Sequence, residues 1–100
     1  MVKHEVMIIA NYSQESLLTF DELCTICNIS SDRLHELIAY GIIRPKQTSQ
    51  GHWLFNLVDL QRTRTALRLQ RDLEVNTAGV AVVLDLLDEL EELRAQAKFF

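Results

Sequence analysis

The chain has 100 residues, of which 48% are hydrophobic and 24% are charged, and its formal net charge is −4. This length suits one small domain, and the apolar content excludes a disordered chain. No apolar run approaches the roughly 18 residues of a membrane span. The N-terminal residues lack the cleavage site of a secretory signal, so the sequence predicts a cytoplasmic protein.

The first predicted elements are a strand and a short helix. Residues 2–9 are rich in Val, Ile and Met, which predicts a strand. Thr19 and Glu22 have the spacing of a capping box, which predicts a helix over 20–27. The connection at 10–17 has no pattern that predicts its structure.

A second short helix is predicted after a brief turn. Ser30 or Ser31 can cap a helix that runs to Tyr40, and Gly41 can end it in the left-handed conformation. Its apolar stripe consists of Leu34, Leu37 and Ile38. Two short helices joined by a brief turn predict a helix-turn-helix.

Cys24 and Cys27 form a C-x-x-C pattern near the end of the first helix. A zinc site would need two more ligands, and His4, His35 and His52 are not spaced as in a zinc finger. A redox pair would normally follow a strand and open a helix. Because positions i and i+3 of a helix share one face, the favoured interpretation is that both thiols pack on the core.

The next segment predicts a small hairpin or wing. Residues 42–45 are extended, 46–51 are polar and end in a glycine, and 52–56 again contain strand formers. Trp53 in this hairpin either closes the core or is an exposed aromatic contact for a partner. The core interpretation is favoured, because a tryptophan in a small hairpin usually packs inward.

A third helix is predicted over 57–73, with Asn56 as its cap and Asp59 in its first turn. The residues predicted to be buried are Leu57, Leu60, Ala66 and Leu67. The residues predicted to be exposed are Arg62, Arg64, Arg68 and Arg71. Such an arginine row is usually a solvated face, and contact with nucleic acid is the alternative interpretation.

The last predicted helix, capped by Asn76 or Thr77 and ending near residue 97, has two apolar stripes. One has the alternating steps of three and four of a coiled-coil seam: Val83, Leu86, Leu90, Leu93 and Ala97. The other consists of Val80, Leu84 and Leu87. We expect one stripe on the chain's own core and the other on a second subunit, which predicts a homodimer.

This order of elements resembles the MerR family of bacterial regulators. The matching positions are 29–30 before the second helix, 34–45 through its exit, 51–55 in the wing and 59–60 beyond it. The resemblance implies a mainly α fold, a winged helix-turn-helix with a small N-terminal strand and a long C-terminal coiled-coil helix. The chain is then one domain, 1–100, with the winged part at about 1–75 and a dimerisation helix at about 76–98.

The departures from that family argue against DNA reading. The family's L-R-Y-Y-E run is replaced by residues 34–38, LHELI, and its wing arginine by Trp53. Affinity for DNA depends on lysine and arginine at phosphates and base edges. Residues 76–100 hold two basic and five acidic groups. We therefore expect no DNA binding; the alternative function is a dimeric MerR-like transcription regulator.

A closer resemblance lies in residues 52–93. The runs 68–76, 79–81 and 84–88 are similar to chaperone-modulator proteins of the CbpM type, small bacterial relatives of MerR regulators. This resemblance implies binding to the J-domain of the DnaJ-like co-chaperone CbpA. Such binding would block stimulation of the Hsp70 protein DnaK and hinder DNA binding by the co-chaperone. No catalytic motif is found, and we expect no enzyme activity, metal or cofactor.

The resemblance also implies that the partner presents a basic helix face, which acidic residues of this chain could cover. The candidate contacts are Asp72, Glu74, Asp85, Asp88, Glu89 and Glu92, with Val75 as a small apolar anchor. Asp72 and Glu74 are expected in the loop before the last helix. The alternative is that these carboxylates only solvate an exposed helix.

Overall fold

The computed structural model describes residues 17–98. The strand predicted at 2–9 and nearly all of the 10–17 connection lie outside the described residues. Within them the chain is mainly helical, as predicted, with four helices and three short strands. In chain order these are β1 Leu18–Thr19, α1 Phe20–Cys27, α2 Ser31–Ala39, β2 Lys46–Gln47, β3 Trp53–Phe55, α3 Leu57–Leu73 and α4 Thr77–Ala97.

Helix α1 begins at the predicted capping box. The Glu22 amide donates to Thr19 Oγ1 at 3.2 Å, and the Thr19 amide donates to Glu22 Oε1 at 2.9 Å. Ser30, rather than Ser31, caps α2 by accepting from the Arg33 amide at 3.1 Å. Gly41 follows α2 with φ of 72°, as its predicted role at the helix end requires.

The three strands form one antiparallel sheet in the order β1-β3-β2. Leu18 pairs with Phe55, and Lys46 pairs with Leu54. The β2–β3 hairpin turns through Gly51, whose φ is 85°. The central strand β3 therefore connects the N-terminal strand to the hairpin and leads directly into α3.

The two long helices are separated by a short break. Asn56 caps α3, and its capping box with Asp59 places that carboxylate in a buried position. Glu74 ends α3 in the left-handed conformation, with φ of 53°. Asn76, rather than Thr77, caps α4 by accepting from the Gly79 amide at 2.8 Å. None of the helices within residues 17–98 combines the length and apolar character needed to cross a bilayer.

One apolar cluster joins the sheet to all four helices. Its buried members are Leu18, Leu23, Leu34, Leu37, Ile42, Ile43, Phe55, Leu60, Ala66, Val80 and Leu84. Leu57 and Leu69 are partly buried against it. Of the α3 residues predicted to be buried, Leu60 and Ala66 are buried, but the prediction was wrong for Leu57 and Leu67, which are half-buried. Thr63, by contrast, is fully buried. Thr63 is accommodated because its hydroxyl donates to the Asp59 carbonyl at 2.7 Å.

Loss of the α3 cap is expected to destabilise the fold. Asn56→Ala removes the Oδ1 acceptor that receives the Asp59 amide at 2.9 Å. We expect unfolding in urea to show a loss of about 1 kcal/mol. Asn56→Asp keeps an oxygen acceptor at this position and should lose less than half as much. Equal stability of Asn56→Ala and the wild type would contradict the role of this cap.

Candidate partner-binding surface

The last helix leaves the core part-way along its length. Val80 and Leu84 are buried, whereas every residue from Asp85 to Lys98 is exposed. Since α4 has 21 residues, and thus a length of about 31 Å, more than half of it projects past the core. This projecting segment, 85–98, contains most of the predicted partner contacts.

The projecting segment has an exposed apolar stripe. Leu86, Leu90 and Leu93 are 58%, 42% and 61% exposed. Val83 at the start of the predicted seam is half-buried, and Ala97 at its end is exposed. Leu87 was expected to pack with Val80 and Leu84, but it is exposed because the core ends one turn earlier. We call Leu86, Leu90, Leu93 and Ala97 the α4 stripe.

The carboxylates of α4 are not equivalent. Asp85, Glu89 and Glu92 are exposed, with no hydrogen bond or salt bridge within residues 17–98. Asp88 is also exposed, but both of its carboxylate oxygens accept from Arg62 Nη1, at 3.1 and 3.0 Å. Asp88 is therefore partly neutralised within the chain, whereas the other three remain available to a partner.

Arg62 connects three parts of the fold. Besides the contact with Asp88, its Nε donates to the Ile42 carbonyl at 2.7 Å, and only 24% of its side chain is exposed. The prediction that Arg62 belongs to an exposed row was wrong for this reason. It lines a groove of about 270 Å³ together with Val58 and Asp85. The helical pattern of α3 gave no signal for this pairing, because Arg62 and Asp88 are 26 residues apart.

The break between α3 and α4 presents the other candidate contacts. Asp72 lies in the last turn of α3, not in the loop as predicted, and accepts from Arg71 Nε at 3.2 Å. Glu74 is the exposed residue that ends the helix. Val75 is half-buried against the core, so only part of its side chain can meet a partner.

A polar network joins α2 to the start of α4. Arg33 Nη1 donates to Thr77 Oγ1 at 2.8 Å, and the Glu36 carboxylate accepts from both Arg33 and the Thr77 hydroxyl. Arg33 is the one arginine or lysine of α2. Helix α2, the second helix of the predicted helix-turn-helix, therefore has its cation committed to an intramolecular contact. Sequence periodicity did not predict this pairing.

Aromatic rings form a cluster between α1, α2 and the sheet. The Phe20 ring centroid lies 4.8 Å from that of His35 and 5.9 Å from that of Trp53. His35 meets Trp53 edge-on at 5.3 Å. The prediction that Trp53 packs on the core is confirmed, although the ring is only half-buried.

Both cysteines are half-buried thiols that pack against the core, as predicted. Burial, and to a lesser degree the Asp21 carboxylate, raises the pKa of the Cys24 thiol above its ordinary value. A raised pKa lowers the fraction of reactive thiolate. In the described part of the chain, no group of three or more His, Cys, Asp or Glu residues could hold a metal ion.

The chain is similar to known regulators and chaperone modulators. Residues 18–99 match the family described as MerR HTH family regulatory protein. Chaperone modulatory protein CbpM of Coxiella burnetii is 34% identical over 85 residues, which are 85% of this chain and 80% of the relative. The proteins of that name from Pseudomonas putida and Citrobacter koseri are 34% and 32% identical, over 74% and 78% of this chain and 73% and 77% of each relative.

Proposed function

This chain belongs to the MerR HTH regulatory protein family and, within it, to the chaperone modulatory protein CbpM family, and we propose that it is a chaperone modulator. Its target is the J-domain of a DnaJ-like co-chaperone of the CbpA type. Occupying the J-domain would inhibit stimulation of Hsp70 and DNA binding by the co-chaperone. The observation that carries this proposal is the projecting, acidic segment of α4.

Charge complementarity supports this proposal. The projecting segment 85–98 holds five carboxylates and two cations, and Asp85, Glu89 and Glu92 have no partner within the described residues. Exposed carboxylates attract a basic protein surface during encounter and suppress binding of polyanions. The surface therefore suits a basic folded partner better than it suits DNA.

We assign the partner contacts to one side of α4 and to the break before it. The proposed set is Asp72, Glu74, Val75, Asp85, Asp88, Glu89 and Glu92. Within it, Asp85, Glu89 and Glu92 are expected to contribute most, because Asp88 and Asp72 already have arginine partners in the chain. A carboxylate that must exchange one cation for another gains less from a new contact.

The α4 stripe supports a second part of the proposal, that the protein is a homodimer. The proposed interface consists of Val83, Leu86, Leu90, Leu93 and Ala97. Three largely exposed leucines on one helix face are unfavourable in water, and the same stripe of a second copy would cover them. In this arrangement α4 is a coiled-coil dimerisation helix, and the β2–β3 hairpin is the wing of a MerR-like scaffold.

The function is tested by reversing two exposed charges. Asp85→Lys/Glu89→Lys should weaken binding to a purified CbpA J-domain by about tenfold at low salt, because two attractive contacts become repulsive. The difference should shrink at high salt, where such contacts are screened. Affinity is measured by isothermal titration calorimetry at both salt concentrations.

The matched control is Asp32→Lys/Ser49→Lys/Gln50→Lys, which changes the net charge by the same amount at exposed positions outside α4. Its dissociation constant for the J-domain should stay within about twofold of the wild-type value if affinity depends on the charges of α4 rather than on the net charge of the protein. Asp88 is left unchanged, because a lysine there would face Arg62 and disturb the fold. Absence of wild-type binding to the J-domain would reject the function, and an unaffected double variant would reject only the assigned surface.

A further inference from the structure

A shallow groove lies at the junction of α1 and the sheet, away from the residues assigned to the J-domain. Its volume is about 250 Å³. The lining residues are Thr19, Phe20, Asp21, His52, Trp53 and Leu54. We call it the Trp53 groove. Neither the α4 stripe nor the carboxylates of α4 contribute to it.

The groove combines aromatic rings with a carboxylate. Phe20 and Trp53 both line the groove and are both half-buried, so part of each residue remains accessible. Their rings stack on each other at a centroid distance of 5.9 Å with an interplanar angle of 25°. His35, which is itself exposed, contacts both rings and restricts their mutual position. Aromatic faces attract cations, most strongly when the ring is that of a tryptophan.

Asp21 supplies the negative charge of the groove. It is exposed, and its carboxylate has no hydrogen bond or salt bridge within residues 17–98. By contrast, the neighbouring Glu22 carboxylate is occupied by the Thr19 amide in the capping box. Thus one exposed carboxylate lines the same groove as two aromatic rings that contact each other.

We propose that the Trp53 groove binds an arginine side chain of a protein partner. A guanidinium can stack on an aromatic face while it donates to a carboxylate, which a compact ammonium ion does less well. A nucleic acid would instead bring its phosphates against Asp21. This contact goes beyond the proposed binding at α4, and it requires no change in the assignment of that surface.

Trp53 is the only tryptophan of the chain, so its fluorescence reports on this groove alone. The probe is a peptide of four arginines separated by glycines, titrated into the full-length protein at fixed pH and low salt. A peptide with citrulline in place of each arginine has the same shape without the charge. We expect the tryptophan fluorescence to change saturably as the arginine peptide is added and to stay constant as the citrulline peptide is added.

Two neutralising variants place the binding site. Asp21→Asn should raise the dissociation constant of the arginine peptide by about fivefold, since it removes the negative charge of the groove. Asp32→Asn, which removes the same charge from an exposed position of α2, should leave the dissociation constant within about twofold of the wild type. Circular dichroism of each variant establishes that the helical fold is retained.

Four outcomes would overturn the assignment. The first is a tryptophan signal that does not respond to the arginine peptide, and the second is an equal response to the citrulline peptide. The third is the same affinity for the arginine peptide in Asp21→Asn as in the wild type. The fourth is a saturable response to a short DNA duplex, which would identify a nucleic-acid site instead. None of these results depends on whether a J-domain binds at α4.

Discussion

Leu90→Glu is expected to convert the proposed homodimer to a monomer. Leu90 lies in the middle of the α4 stripe, between Leu86 and Leu93, which are even more exposed. Complete burial of one leucine contributes about 1.5–3 kcal/mol, so a stripe of three can stabilise a helix pair. A glutamate at the centre would place two like charges together in a region removed from water. Sedimentation equilibrium of the wild type and the variant measures this change.

The matched control for this prediction is Val58→Glu. Val58 is an apolar residue with 58% exposure, like Leu86, but it lies in the first turn of α3 and outside the stripe. It should remain dimeric. Because Val80 and Leu84 hold α4 on the core, Leu90→Glu should keep the helical circular dichroism of the wild type. A monomeric wild type, or a dimeric Leu90→Glu, would exclude the α4 stripe as the interface.

The boundaries of the described helices could be predicted because each depends on neighbouring residues. A capping box needs only a suitable residue and its partner three positions on, and both the Thr19–Glu22 and the Asn56–Asp59 boxes are present. Gly41 likewise ends α2 through its own conformational freedom. The predicted bounds of α1, 20–27, and of α3, 57–73, agree with the structure at both ends.

The polar contacts between helices could not be predicted in the same way. The bonds from Arg62 to Asp88 and from Thr77 to Glu36 join residues 26 and 41 positions apart. Helical periodicity tells which residues share a face, but it does not tell which face of another helix lies opposite. Arg62 was therefore interpreted as a solvated arginine, although it is largely covered.

The candidate surface was predictable in one respect only. The three-four spacing in α4 identified Leu86, Leu90 and Leu93 as one stripe, and the structure leaves all three exposed. The sequence could not show where the core ends along the helix, so Leu87 was predicted to be buried although it lies beyond the core. Which carboxylates contact a partner stays a prediction, because that depends on the shape of a second protein.

Arg62→Ala is expected to lower the free energy of unfolding by about 2 kcal/mol. The pair with Asp88 contributes the smaller part, because the aspartate side chain is 56% exposed and solvent screens the interaction. The larger part comes from the Ile42 carbonyl, which loses a charge-assisted donor at 2.7 Å at a buried residue. Urea unfolding at a single protein concentration measures the loss.

Two further variants separate these contributions. Arg71→Ala removes an arginine of the same helix whose side chain is 74% exposed and, within residues 17–98, pairs only with the adjacent Asp72. Its effect should therefore stay within about 0.5 kcal/mol. Arg62→Lys keeps the charge, but an ammonium group lacks the planar guanidinium that donates to the Ile42 carbonyl and to Asp88 at the same time. This variant should therefore recover less than half of the stability lost in Arg62→Ala. If Arg62→Ala and Arg71→Ala lowered the free energy of unfolding by the same amount, Arg62 would be an ordinary surface cation. In that case α4 would be held on the core by Val80 and Leu84 alone.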